Sequence, residues 1–162
     1  MFSGHPEPAL AVLDRSASGD TLTRIARAIL EAPALAVTGR TSRAVAIAEA
    51  GYTAHRALDD QLAIAHPATH IVNQMFAMTE AGQLSAAEQI GRAGAEIVAA
   101  DRVPIAQVWF ATNLARIAIL QGRVATARRY FGPVPWPPPA VGVRDLRAQA
   151  RTSTLEPPCN PA

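Results

Sequence analysis

Ile117-Ala118-Ile119-Leu120-Gln121-Gly122-Arg123-Val124-Ala125-Thr126-Ala127 is an apolar run, a glycine-polar turn and the start of an alanine-rich run. The same order occurs at Ala34-Leu35-Ala36-Val37-Thr38-Gly39-Arg40 leading to Ala44, and at Met75-Phe76-Ala77-Met78 leading through Gly82-Gln83 to Ala87. A sparser copy is Gly4-His5 before Ala9. The four glycines lie 35, 43 and 40 residues apart, and each is followed five residues later by alanine. A self-similar period of that length marks stacked helical hairpins, each too small to bury its own apolar face. Alanine fills 35 of 162 positions, so the Gly-x4-Ala match alone decides little. The apolar runs before the glycines and the polar residues after them decide it.

Working outward, each copy resolves into two helices. Asp20 is placed to cap a helix carrying Leu22, Ile25, Ala26, Ile29 and Leu30 at helical spacing. Pro33 is expected to end or kink that helix near Ala32, leaving a short segment Ala34–Thr38 before Gly39. Thr41 or Ser42 is expected to cap the partner helix, which runs to about Leu58, and Asp59-Asp60 marks a break. In the next copy, Ile71, Met75 and Met78 form one stripe and Val72 and Phe76 a second, so that helix should be packed on both sides. Its partner has Ser85 as the expected cap and Ile90, Ala93 and Ile97 on its apolar face; Gly91 and Gly94 permit close approach of a neighbour. Pro104 opens the third copy, whose first helix carries Ile105, Val108, Trp109, Leu114, Ile117 and Leu120. Trp109 and Phe110 are adjacent, so at least one must face a neighbouring helix.

The pattern stops at Phe131. Gly132-Pro133-Val134-Pro135-Trp136-Pro137-Pro138-Pro139 cannot be helical, and eight of the 13 prolines lie from Pro133 onward. The expected organisation is therefore an all-α repeat domain over 1–131, about three tetratricopeptide-like hairpins with the first and last incomplete. A Pro/Arg-rich, irregular, disordered tail over 132–162 follows. The tail has the character of an out-of-frame, GC-rich message, which makes the chain a truncated one. In the competing reading Pro133–Pro139 folds back as a cap, with Trp136 over the last helix.

Composition narrows the chemistry. The net charge is +2, and residues 1–131 carry 12 Arg against 11 acidic residues, so no strongly basic face for nucleic acid is expected. No leader-like segment and no 18-residue apolar run is visible, which points to the cytoplasm and away from a membrane. Cys159 is the lone cysteine. His66 and His70 are four apart, as two metal ligands on one helix face would be, but Pro67 stands where a His-Glu-x-x-His motif needs its glutamate. His66 reads better as a residue before the helix start and His70 as a packing residue. No lysine and no phosphate-binding loop is present. Arg123, Arg128 and Arg129 form the densest basic group, a pattern that more often marks the solvated face of a helix. No catalytic, cofactor-binding or metal-binding residue is expected. Asn73, Gln74 and Asn113 are polar residues in otherwise apolar first helices, and they are the candidates for partner contact; pairing within the stack is the plainer account of them.

Five segments carry a family resemblance. They are Leu35-Ala36-Val37-Thr38-Gly39-Arg40, Ala63-Ile64-Ala65-His66-Pro67, Met78-Thr79-Glu80-Ala81-Gly82, Gln107-Val108-Trp109-Phe110-Ala111-Thr112-Asn113-Leu114 and Leu120-Gln121-Gly122-Arg123. Together they resemble the helical-repeat region of large actinobacterial LuxR-family transcriptional regulators, over about residues 1–131. Such regulators join an ATP-binding module, a tetratricopeptide-like superhelix and a helix-turn-helix. This chain has neither a nucleotide-binding loop nor a helix-turn-helix after its repeats, so those roles have no positions here to fall on. The resemblance implies a non-catalytic interaction or sensor segment, with a protein or small-molecule effector as partner and no direct nucleic-acid contact. Its open repeat ends provide for self-association. The alternative it implies is an inactive remnant of a truncated regulator gene.

Overall fold

Gly39, Gly82 and Gly122 hold left-handed backbone, with φ of 78°, 74° and 75°, in the computed structural model, which describes residues 6–15, 19–58 and 65–132. Each glycine ends a helix in one hydrogen-bonded pattern. The Gly39 N–H reaches the Ala36 carbonyl and the Arg40 N–H the Leu35 carbonyl; Gly82 and Gln83, and Gly122 and Arg123, repeat both bonds. This six-to-one and five-to-two closure satisfies carbonyls left over at a helix end, and it favours a residue without a Cβ at the left-handed position. Arg102 makes the same turn with φ of 55°, which strains an L-residue by about 1–2 kcal/mol.

Seven helices result among the described residues: α1 Pro6–Arg15, α2 Thr21–Val37, α3 Thr41–Arg56, α4 Ala68–Glu80, α5 Leu84–Ala100, α6 Pro104–Leu120 and α7 Val124–Tyr130. No strand occurs among the described residues. The glycine turns join α2 to α3, α4 to α5 and α6 to α7, making three helical hairpins preceded by the single helix α1. Each helix packs on its successor, and α2 and α6 also pack on α4. That leaves α4 enclosed by α2, α3, α5 and α6, as its two apolar stripes require. Ile71 and Met75 of α4 meet Phe110, Leu114 and Ile117 of α6 in one cluster, while Ala77 of α4 joins Leu35, Ala44 and Leu10 in another.

The second helices of the first two hairpins present matched stripes. Ala44, Ala48, Gly51 and His55 are buried on α3; Ala87, Gly91, Gly94 and Val98, each 43 residues later, are buried on α5. A Cβ on Gly51 would lie 2.6 Å from the His70 ring, and one on Gly94 would lie 2.5 Å from Phe110 Cζ. Ring and backbone are therefore in direct contact at both positions.

Three expectations need correction. Pro33 neither ends nor breaks its helix, because α2 runs unbroken from Thr21 to Val37 with Pro33 inside it; the carbonyl it orphans finds a partner in α4, described below. Thr41, Ser42 and Ser85 cap nothing: the caps of α3 and α5 are Arg40 and Gln83, with no side-chain bond. The glycine turn is so tight that the next residue is already the cap and Thr41 already helical. α3 ends at Arg56 rather than Leu58. The Asp20 cap is present, accepting from the Thr23 N–H at 2.8 Å. The readings of Gly4-His5, of Asp59-Asp60 and of the tail from Pro133 onward lie outside the described residues. No helix among those residues is long and apolar enough to cross a membrane.

A methyl group at position 94 sets a gain in helix propensity of about 1 kcal/mol against overpacking of a fully buried ring, which costs about 1–3 kcal/mol. Gly94→Ala is expected to lower the urea midpoint, whereas a variant of equal or greater stability would show that the α5–α6 contact is loose.

Candidate functional site

Asn73 sits on the face of α4 that meets α2, and its Nδ2 donates to the Ile29 carbonyl at 3.0 Å. Ile29 is the residue whose carbonyl a helix would normally pair with the N–H of residue 33, and Pro33 has no N–H. The amide thus supplies from α4 the donor that proline removes from α2. Gln74, one residue on, donates from Nε2 to Glu49 Oε1 of α3 at 2.7 Å. Asn113 donates from Nδ2 to the Trp109 carbonyl of its own helix at 2.9 Å. Two of the three candidate contact residues therefore tie hairpins together, and the third bonds within α6; the three do not converge on one surface.

His66 and His70 are parted by the start of α4. The Ala68 N–H donates to His66 Nδ1 at 3.2 Å, which places the ring proton on Nε2, and Nε2 donates to Asp101 Oδ2 at 3.0 Å. His66 is thus a side-chain cap that links the entrance of α4 to the end of α5. His70 points inward instead, against His55 of α3, with ring centroids 5.5 Å apart and planes at 84°. His70 is 0 % and His55 4 % exposed. His55 Nδ1 and both ring nitrogens of His70 are buried without a hydrogen-bond partner. Burial, with the neighbouring His55 a lesser cause, pulls the His70 pKa down to about 4. Burial likewise lowers that of His55, helped by His66. No group of three or more His, Cys, Asp or Glu gathers into a metal-binding cluster among the described residues. Nothing in the spacing of His66 and His70 could have named His55 as the true neighbour.

The basic group is partly spent on ion pairs. Arg123 bonds Glu88 and Gln121, and Glu88 also takes Arg92 at 2.6 Å. Those guanidinium groups, Arg92 foremost, hold the Glu88 carboxyl below its usual range. Arg128 and Arg129 are exposed on α7.

Two surfaces among the described residues are open to a partner. One is a groove of about 430 Å³ between α2 and α3, with Ile25, Ala28, Ala50 and Gly51 among its lining and Arg24, Arg27 and Glu31 at its polar side. Arg27 there is held by Glu31 at 2.8 Å and Asp14 at 3.1 Å. The other surface is the outer side of α6, where Ile105, Val108, Trp109, Ile119 and Leu120 are exposed, Val108 at 58 % and Trp109 at 41 %. Phe110, beside Trp109, is fully buried. No protein-family model, no curated protein and no solved structure matches the chain.

The Asn73 bond and Pro33 should behave as a coupled pair. Asn73→Ala strands a half-buried carbonyl and is expected to cost about 1–3 kcal/mol of unfolding free energy. In a Pro33→Ala background the helix regains its own donor, so the same change should cost distinctly less, with a coupling of about 1 kcal/mol in a double-mutant cycle. Additive costs would show that the two residues act apart.

Proposed function

We propose that this chain is a non-catalytic interaction module, a tetratricopeptide-like stack of three hairpins of the kind found in the repeat region of LuxR-family regulators, working in the cytoplasm. The observation that carries the reading is the recurrence of one hairpin: the same glycine closure at Gly39, Gly82 and Gly122, with matched buried stripes 43 residues apart on α3 and α5. A chain that repeats one supersecondary unit extends a surface rather than enclosing a central pocket. The resemblance of the turn segments to the regulator repeats supports the same reading.

The partner we assign is an amphipathic helix on the outer side of α6. The support is internal: α4, the corresponding first helix one hairpin earlier, carries α6 on the same side. There Arg116 of α6 lies 5.5 Å over the Phe76 ring and 2.6 Å from Glu80. Forty residues on from Glu80 stands Leu120, exposed to water on α6 with Ile105, Val108 and Ile119, while Arg116 holds the place that Phe76 has on α4. A helix presenting residues at i, i+3 and i+7 would cover them as α6 covers α4. The test is selection of a random helical-peptide library on the immobilised protein, followed by calorimetry on the winners. Amphipathic sequences should emerge, and Val108→Glu or Leu120→Glu should weaken them at least about tenfold, or about 1.4 kcal/mol. Winners indifferent to both variants, or no consensus at all, would refute the assignment.

A second reading, an inactive remnant of a broken regulator gene, is favoured by one observation. α7 has seven residues where α3 and α5 have 16 and 17, which leaves apolar surface on α6 uncovered. On that reading the protein aggregates; monodisperse sedimentation with cooperative unfolding would exclude it.

A further inference from the structure

The two junctions between hairpins are built to one plan and filled with different chemistry. At the junction of α5 with α6, Gly94 receives the phenyl ring of Phe110 and Val98 is buried one turn further along α5. At the junction of α3 with α4, Gly51 receives the imidazole of His70 and His55 is buried one turn further along α3. Gly51 and Gly94 are 43 residues apart, as are His55 and Val98, and His70 and Phe110 are separated by the same 40 residues as Gly82 and Gly122. Valine and phenylalanine are sufficient to close such a junction, since the second one is closed by them. Two imidazoles in the first add three buried ring nitrogens without partners, each a cost that an apolar side chain would not carry. What they contribute in exchange is the capacity to take up protons.

We propose that the α3–α4 junction is a proton-operated hinge, closed while His55 and His70 are neutral and opened when either takes up a proton, so that the first hairpin is released from the second. A proton on either ring places a cation where no acceptor awaits it and where the facing group is another imidazole. The charged groups on the elements around the pair are otherwise engaged. On α2, Glu31 is held by Arg27 and Arg43. On α3, Glu49 accepts from Gln74 of α4, and Arg56 lies over Tyr52. His66, at the entrance of α4, is bonded to Asp101 of α5 and adds only repulsion toward a charged His55. Glu96 of α5 is exposed and no carboxylate bonds the buried ring nitrogens, so the relief open to the imidazolium is water, reached when α3 parts from α4. The sign follows from burial. Both rings favour the neutral form when packed, so the closed junction is fully stable above the ordinary histidine pKa of 6.5 and loses stability as the pH falls from there toward about 4. The α5–α6 junction has no titrating group in the matching slots and stays closed over the same range.

Amide hydrogen exchange on the full chain at pH 7.5 and 5.0, corrected for intrinsic rates, reads the hinge directly. Protection of amides in α3 and the first half of α4 is expected to fall by more than about tenfold at the lower pH, while α5 and α6 hold theirs. The double variant His55→Val with His70→Phe installs the side chains of the second junction in the first and is expected to abolish the difference. Equal protection at both pH values, a loss spread evenly over all helices, or a loss that survives in the double variant would each overturn the proposal. Proton NMR of the wild-type imidazoles supplies a reading that does not depend on any variant. A buried His70 ring titrating at the ordinary histidine value with α3 and α4 still packed would overturn it as well.

Discussion

Everything in this stack rests on how closely a second helix can lie against the first helix of the next hairpin, and that distance is set by glycine. Gly51 and Gly94 have no side chain at the point where the His70 and Phe110 rings press on the backbone. Gly91 does the same for Met75 and Leu114. Because the ring fills the space a Cβ would occupy, a few large side chains can close junctions otherwise lined with alanine. The chain has only eight aromatic residues, and a stack with so few large side chains must bring its backbones together to bury enough surface. Fully burying one such side chain contributes about 1.5–3 kcal/mol, an appreciable part of the stability of a small domain. The helix propensity lost at each glycine is smaller than that.

The same close approach explains how α2 survives its proline. A proline inside a helix ordinarily costs about 3 kcal/mol, part of it the bond its missing N–H would have made. Here α4 lies near enough for the Asn73 amide to reach the exposed Ile29 carbonyl. The defect in one hairpin becomes a directional bond to the next, which fixes how α2 and α4 sit along each other as apolar contact alone would not. A local irregularity has been turned into a device for register.

What the sequence made legible is what local chemistry alone determines. Gly39, Gly82 and Gly122 could be placed because a left-handed residue is demanded by the helix end itself, whatever packs around it. The period followed from them, as did the two-sided burial of α4 from its two stripes. The expected end of the helix at Pro33 does not occur because the rule for proline considers only its own helix, and the donor that offsets it lies 40 residues along the chain. Arg102 takes the same left-handed turn with no glycine to announce it, held by the α5 carbonyls that accept from its N–H and from that of Val103. The histidines show the limit most clearly. Sequence spacing set His66 before the helix start and His70 among packing residues, as the fold has them, but it could not supply His55, the ring that His70 meets across two helices. Asn73 and Gln74 could be recognised as polar residues needing a reason, but the reason resided in α2 and α3.

The unequal fates of α4 and α6 bear most directly on function. Both are first helices of a hairpin, and both are apolar around much of their circumference. Among the described residues, α4 has a neighbour on every apolar side, whereas α6 has α4, α5 and α7. The mean hydrophobic character of α6 is nevertheless the higher of the two, so its outer residues are not those of a helix designed to face water. Were that side meant to be solvated, the cheap substitutions would be at Ile105, Val108 and Ile119, which make no contribution to the core while exposed. Large apolar side chains grouped on one side of a helix form a surface whose burial is favourable. The groove between α2 and α3 makes no comparable demand, because Arg27 and Glu31 on its rim are already held in internal pairs and its floor is mostly alanine and glycine. The apolar side of α6, rather than the groove, is therefore where an interaction would stabilise the stack most.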